Sequence, residues 1–170
     1  QVLGGWSKAY NRKMNLSTLP LTLSASVQEK HLDELGHMNV MWYTHLFSRS
    51  TCGFLDLIGV DQAYFEQNER GTFALEGHFQ YLAEVRIGKR VQVRTQAIGR
   101  SEKRFHLMHY LIVLDDDVLA ATAEFVGAHI DMQTRRMSAF PESVQTPFDR
   151  LIREHSSVGF DVPVCGIMRP

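Results

Sequence analysis

Asn39-Val40-Met41-Trp42-Tyr43-Thr44-His45-Leu46-Phe47-Ser48-Arg49-Ser50-Thr51-Cys52-Gly53-Phe54-Leu55-Asp56-Leu57-Ile58-Gly59 is the stretch on which the fold turns. Val40, Tyr43, Phe47, Phe54 and Leu57 recur at the spacing of a helix with one apolar face. Asn39 suits the N-cap, because its side-chain oxygen accepts a bond from an otherwise unpaired amide of the first turn. Gly59 follows where the periodicity stops, as a helix end requires. Gly53 lies inside the helix at a cost of up to about 1 kcal/mol relative to Ala. Either a close approach of a sheet or a merely tolerated glycine accounts for it.

Outward from this helix the period changes. Before it, residues 23–29 read as one strand; after it, residues 71–82, 90–98, 105–114 and 118–132 read as four more. Their separators are Gly88-Lys89, Gly99-Arg100-Ser101 and Asp115-Asp116-Asp117, all rich in turn formers. Val91, Val93, Thr95 and Ala97 alternate with Gln92, Arg94 and Gln96, so one face of that strand should meet water. Residues 105–114 differ: Phe105, Leu107, Leu111 and Val113 share one face, and Met108, Tyr110, Ile112 and Leu114 the other. Such a strand needs two covers. With one helix available, the second cover is expected to be another subunit. Strand, long helix and a run of antiparallel strands make an α+β chain, with the sheet wrapped around one buried helix.

The rest of the chain bounds the function. Its 170 residues suit one domain. With 18 basic and 19 acidic residues the net charge is −1, which gives no field for nucleic acid. No apolar run reaches the ~20 residues of a membrane helix. Two cysteines, Cys52 and Cys165, fit a reducing compartment such as the cytoplasm and not a disulfide scaffold. Residues 1–13 lack an apolar core followed by a small-residue cleavage site, so they do not read as a signal peptide; Met14 is a candidate start. Residues from about Ser156 to Pro170 carry Gly, Pro and Ser with little periodicity and read as a surface tail.

The chemistry is expected in His31-Leu32-Asp33-Glu34-Leu35-Gly36-His37-Met38, the loop entering the helix. It places a carboxylate, Asp33, beside a helix N-terminus, whose free amides favour developing negative charge. Acyl transfer needs that pairing of a nucleophile or base with oxyanion donors. Solvated loop acids beside a turn glycine are the alternative reading of the same spacing. His106 and His109 are three apart on a strand and so face opposite ways, and neither cysteine falls in a zinc-like pair; no metal site is expected. No Gly-x-Ser-x-Gly elbow is present.

Asp33-x-x-Gly36-His37-Met38-Asn39 followed by Tyr43 resembles the signature of the 4-hydroxybenzoyl-CoA thioesterase family, which has the hotdog fold. Gln80-Tyr81-Leu82-Ala83-Glu84-Val85-Arg86-Ile87-Gly88 resembles that family's second-strand motif. The likeness covers roughly residues 22–145. It divides the chain into an N-terminal extension (1–21), a hotdog domain (22–145) and a C-terminal helix and tail (146–170). Within the family, Phe54-Leu55-Asp56-Leu57-Ile58-Gly59-Val60-Asp61, Glu76-Gly77-His78, Lys103-Arg104-Phe105-His106-Leu107 and Ala121-Thr122-Ala123-Glu124 are most similar to betainyl-CoA thioesterases, including the domain fused to some carnitine dehydrogenases; Asn39-Val40-Met41-Trp42 departs from them.

The resemblance implies an acyl-CoA thioesterase with Asp33 as nucleophile or base and the Val40 amide as oxyanion donor. Gly36 would let the backbone pass close to the thioester, and His37 would bond within the loop or reach the substrate. No cofactor is implied beyond the coenzyme A of the substrate. A cationic acyl group would draw on aromatic faces, with Trp42, Tyr43, Phe47 and Tyr81 as candidates, and on Glu76, which shares a strand face with His78. Core packing is the plainer reading of the aromatics, and an exposed strand acid that of Glu76. Arg86, Lys89 and Arg90 at one turn, with Arg100, Lys103 and Arg104 at the next, are candidates for the CoA phosphates or a solvated rim. The expected assembly is a homodimer or dimer of dimers with sites near the interface. A hotdog hydratase or dehydratase and a non-catalytic acyl-CoA-binding module are the competing functions.

Overall fold

The computed structural model describes residues 14–170; the expectations for residues 1–13 lie outside the described residues. The strands are β1 (Leu21–Ser26), β2 (Arg70–Tyr81), β3 (Arg90–Arg100), β4 (Arg104–Val113), β5 (Val118–Asp131) and the short β6 (Arg136–Met137); the helices are α1 (Val40–Leu57), α2 (Gln62–Asn68) and α3 (Glu142–His155). All pairings are antiparallel, in the order β1-β3-β4-β5-β2, with β6 on β5. This is the hotdog arrangement, a curled sheet holding α1 against one face.

Asn39 caps α1, its Oδ1 accepting from the Met41 amide at 2.9 Å. At the other end Gly59 turns with φ +80°, and the Gly59 and Val60 amides donate to the carbonyls of Asp56 and Leu55. That pair of bonds satisfies the last carbonyls and delivers Val60 into the core. Tyr43, Phe47 and Phe54 are buried as the periodicity predicts, but Val40 and Leu57 are exposed, and Leu46, Ser50 and Leu55 complete the buried stripe. Val40 opens α1 at the mouth of a cleft, which is why its side chain is not covered. Gly53 is required by close approach: a Cβ there would run into the Thr22 carbonyl of β1.

The inner face of the sheet forms the core with α1, through Val91, Val93, Leu111 and Val113 around Phe47, and through Ala97, Phe105 and Leu107 around Phe54. Beneath the middle of α1, His109 is wholly buried between the hydroxyls of Thr95 (2.8 Å) and Thr51 (3.0 Å). Burial pushes its imidazole down to about 3, so it is neutral.

The outer face corrects two expectations. Met108, Tyr110 and Leu119 are covered, but by this chain: Leu16 and Leu19 before β1, and Val158, Phe160 and Val162 after α3, pack on them. The tail is thus a sheet cover rather than a loose surface segment, and the two apolar faces of β4 give no reason to invoke a second subunit. Nor does the polar face of β3 simply meet water. Gln96 is buried, accepting from the Tyr110 hydroxyl and donating to the His155 carbonyl, while Arg94 donates to the carbonyls of Ser17 and Leu19. A bulge after Ala97 frees its amide, which donates to His155 Nδ1. Arg100 binds Asp149 with two 2.7 Å bonds and fixes α3 to β3. No helix among the described residues is long and apolar enough to cross a membrane.

Candidate active site

The loop between β1 and α1 closes on itself. The Asp33 amide donates to the His37 carbonyl (2.8 Å), the Gly36 amide to the Asp33 carbonyl (3.1 Å), and a bridge joins Leu32 to Met38. Gly36 takes φ +78°, the left-handed conformation this reversal needs. Asp33 is fixed by its own loop: Oδ1 accepts from the amides of Leu35 (2.9 Å) and His37 (3.3 Å), and Oδ2 carries neither bond. The Met38 amide donates to the Val85 carbonyl and the Asn39 amide to the His31 carbonyl, which tie the loop to the segment after β2 and set the start of α1 beside it.

A cleft of about 210 Å³ opens there, lined by Asp33, His37, Val40, Tyr43, Tyr81 and Glu84, with Met38 and Ala83 at its floor. Asn39 takes two first-turn amides, Met41 on its side chain and Trp42 on its carbonyl, whereas the Val40 amide makes neither bond. The α1 N-terminus therefore brings a donor and the positive end of its dipole to the cleft that holds Asp33. Tyr43 donates to the Ala83 carbonyl (3.3 Å) and meets Tyr81 edge-on, with ring centroids 5.3 Å apart. Burial pushes the Tyr43 phenol up to about 12 and also raises that of Tyr81, so both stay neutral. His37 Nε2 lies 3.0 Å from Glu84 Oε2, and Arg86 reaches the same oxygen at 3.7 Å.

Asp33, His37, Val40, Tyr43 and Tyr81 are thus brought together, while Gly36 turns the loop that carries Asp33 without lining the cleft. Phe47 is completely buried in the core against Phe79 and His109. Trp42 does not line the cleft; its ring meets that of His31 at a tilt of 44°, with centroids 4.2 Å apart. Glu76 and His78 are not in the cleft either. Phe79 and Tyr81 point toward α1, so positions 76, 78 and 80 face the opposite side of β2, where Gln80 accepts from Thr122.

The basic candidates also divide. Arg86, Lys89 and Arg90 lie at the cleft end of the sheet, but Lys89 is paired with Asp116 (2.6 Å) and Arg90 with Asp115 (2.7 Å). Those bonds hold the Asp115 carboxyl below its ordinary range, first through the Arg90 amide and then its guanidinium. Lys103 and Arg104 stand at the far end of β4, ten residues or roughly 30 Å away, and so belong to no single subsite with the first group. Glu84 escaped the sequence reading although it lies in the second motif; its signal was its place just past β2, in the segment that returns to the loop.

Comparison with known proteins gives a consistent setting. Residues 27–148 match the model of the thioesterase-like superfamily. A betainyl-CoA thioesterase of Pseudomonas aeruginosa is 29% identical over 143 residues, which cover 84% of this chain and 90% of that protein. An L-carnitine dehydrogenase/betainyl-CoA thioesterase of Ruegeria pomeroyi is 30% identical over 140 residues, 82% of this chain but 28% of that longer protein. Among solved structures, a Staphylococcus aureus protein in complex with CoA superposes with a TM-score of 0.77 at 27% identity, covering 86% of this chain and 96% of that one. A 1,4-dihydroxy-2-naphthoyl-CoA thioesterase of Synechocystis shares the fold, with a TM-score of 0.68 at 16% identity over 77% of this chain and 96% of that one.

Proposed function

The chain belongs to the thioesterase-like superfamily, and from that premise we propose that it is an acyl-CoA thioesterase that hydrolyses betainyl-CoA to betaine and free CoA, with Asp33 as its catalytic carboxylate. One observation carries the reading: Asp33 and the amide end of α1 open on one cleft. In this role the thioester carbonyl oxygen lies at the start of α1, where the Val40 amide and the helix dipole stabilise the charge that develops on it. Asp33 Oδ2 has two routes. Attack on the carbonyl carbon expels the CoA thiolate and leaves an acyl anhydride that water then cleaves; removal of a proton from water makes hydroxide the attacking group instead. Label found in Asp33 after a single turnover in ¹⁸O-water marks the first route. The choice of betainyl-CoA draws on the Pseudomonas and Ruegeria relatives.

The reading also makes the protein a homodimer and, with its free thiols at Cys52 and Cys165, a cytoplasmic one. The dimer contact is assigned to β2, which ends the sheet and has residues 74–77 exposed. Thiol release from a panel of betainyl, short aliphatic and aromatic acyl-CoAs tests the activity. Betainyl-CoA is expected to be preferred, and Asp33→Asn to lower its turnover by about 10²-fold or more while binding persists. A preference for aliphatic or aromatic thioesters refutes the substrate; undiminished turnover by Asp33→Asn refutes the mechanism.

A further inference from the structure

We infer that Glu84 is the residue by which this cleft selects a positively charged acyl group, an assignment that rests on the thioesterase reading of the same cleft. Asp33 and Glu84 both line it and, among the described residues, no lysine or arginine does. The two carboxylates are held in fixed relation: Asp33 and His37 are joined through the loop backbone, and His37 Nε2 meets Glu84 Oε2 at 3.0 Å. Tyr43, whose hydroxyl is bonded to Ala83, next to Glu84, adds a third tether on the same side. Arg86 is the nearby cation and pairs with the same oxygen at 3.7 Å; its side chain is 70% exposed and that of Glu84 53%, so water screens both charges and the selection Glu84 provides is modest.

This arrangement is unfavourable for a neutral thioester. Attack at the carbonyl creates an oxyanion, and a second carboxylate beside the first raises the energy of that charge. If Asp33 does the chemistry, Glu84 adds nothing to it and repels the transition state. A quaternary ammonium one carbon from the carbonyl reverses the balance, because its charge offsets that of the developing oxyanion and of Glu84 in the same cleft. A trimethylammonium group has no N–H to donate, so it is recognised by carboxylate charge and by aromatic faces, not by hydrogen bonds. The cleft supplies these two features: the Glu84 carboxylate, whose Oε2 meets His37 and Arg86, and the neutral rings of Tyr43 and Tyr81, the latter 40% exposed. Glu84 is thus a specificity residue that acts most strongly as the oxyanion forms.

The test compares betainyl-CoA with 3,3-dimethylbutanoyl-CoA, which has the same shape and no charge, using the whole 170-residue chain. The wild type is expected to favour the cation in kcat/KM by about tenfold or more. Glu84→Gln lowers kcat/KM for betainyl-CoA by roughly five- to tenfold and leaves the neutral thioester equal or faster, so the ratio collapses; Glu84→Asp restores part of it. A merely structural role for Glu84 would change both substrates alike. Equal wild-type turnover of the two thioesters, or an unaltered ratio in Glu84→Gln, overturns the assignment of Glu84 while leaving the thioesterase standing. No thiol release from either thioester overturns both.

Discussion

Phe160→Ala probes the cover that the tail provides for the sheet. The Phe160 ring meets Tyr110 edge-on, with centroids 6.1 Å apart and planes at 89°, and Tyr110 is wholly buried. Truncating a fully buried Phe costs about 3–5 kcal/mol. Phe160 is only half-buried, which reduces the transfer and cavity cost to about half, and loss of the edge-on contact adds up to about 1 kcal/mol. The sum is about 2–3 kcal/mol, which for a chain of this size lowers Tm by roughly 5–10 °C. Thermal unfolding followed by circular dichroism measures it, with Val164→Ala as the control. Val164 lies in the same tail but is exposed, and its truncation should stay within about 0.5 kcal/mol. Equal Tm values for the two variants would mean that the tail does not seal the sheet and that the outer face of β4 needs another cover.

Gly53→Ala gains about 1 kcal/mol of helix propensity but drives a methyl into the Thr22 carbonyl; the clash costs more, because backbone on both sides must move, and Tm is expected to fall rather than rise. Acid should loosen the tail through Glu124. Burial opposes charge on Glu124, but the Cys165 amide and His106, at 2.6 and 2.8 Å, overcome it and hold the carboxyl below its ordinary range. A depressed folded value means that the stabilisation is complete above the unfolded carboxylate range, about pH 4.3, and is lost as pH falls through the folded value. Denaturant titrations should therefore show a steeper loss of stability for the wild type than for E124Q between about pH 5 and 3; parallel curves would exclude this carboxylate as a source of acid sensitivity.

What could be read from the sequence was mostly what is local. The helix, its Asn39 cap and the strand pattern rest on spacings within one segment, and the loop that holds Asp33 runs straight into α1, so Asp33, Gly36, His37 and Val40 come together by contiguity. The tail is less legible because Val158, Phe160 and Val162, which pack on the sheet, lie in an irregular segment that turns at Gly159 (φ +74°), so no strand or helix period announces them. Of the two readings of Glu76, parity along β2 favours the exposed strand acid: Tyr81 at the cleft sends residues of even number to the other face. The charges were the least legible. Lys89 and Arg90 are 27 and 25 residues from the aspartates that neutralise them, and nothing in composition shows which cations are already paired.

The proposed homodimer needs a surface other than the outer face of β4. With the outer face of β4 covered by residues of the same chain, stacking of two sheets through that face would first have to displace the tail. Of the two edges of the sheet, β1 and β2, the longer β2 is the one assigned to the contact. Residues 71–75 of this edge carry no charge and no proline, the usual guards against pairing with another strand, and Leu75, at a bulge in the pairing with β5, is 45% exposed. Leu75→Lys puts a charge into the exposed apolar stretch of this edge, on each copy of a symmetric contact. Light scattering coupled to size exclusion is expected to give twice the 19.4 kDa chain mass for the wild type and to move the variant toward one chain. An unchanged mass in Leu75→Lys removes β2 as the contact. A wild-type mass of 19.4 kDa removes the homodimer itself, and the cleft at Asp33 would then have to bind and turn over its thioester with the residues of one chain.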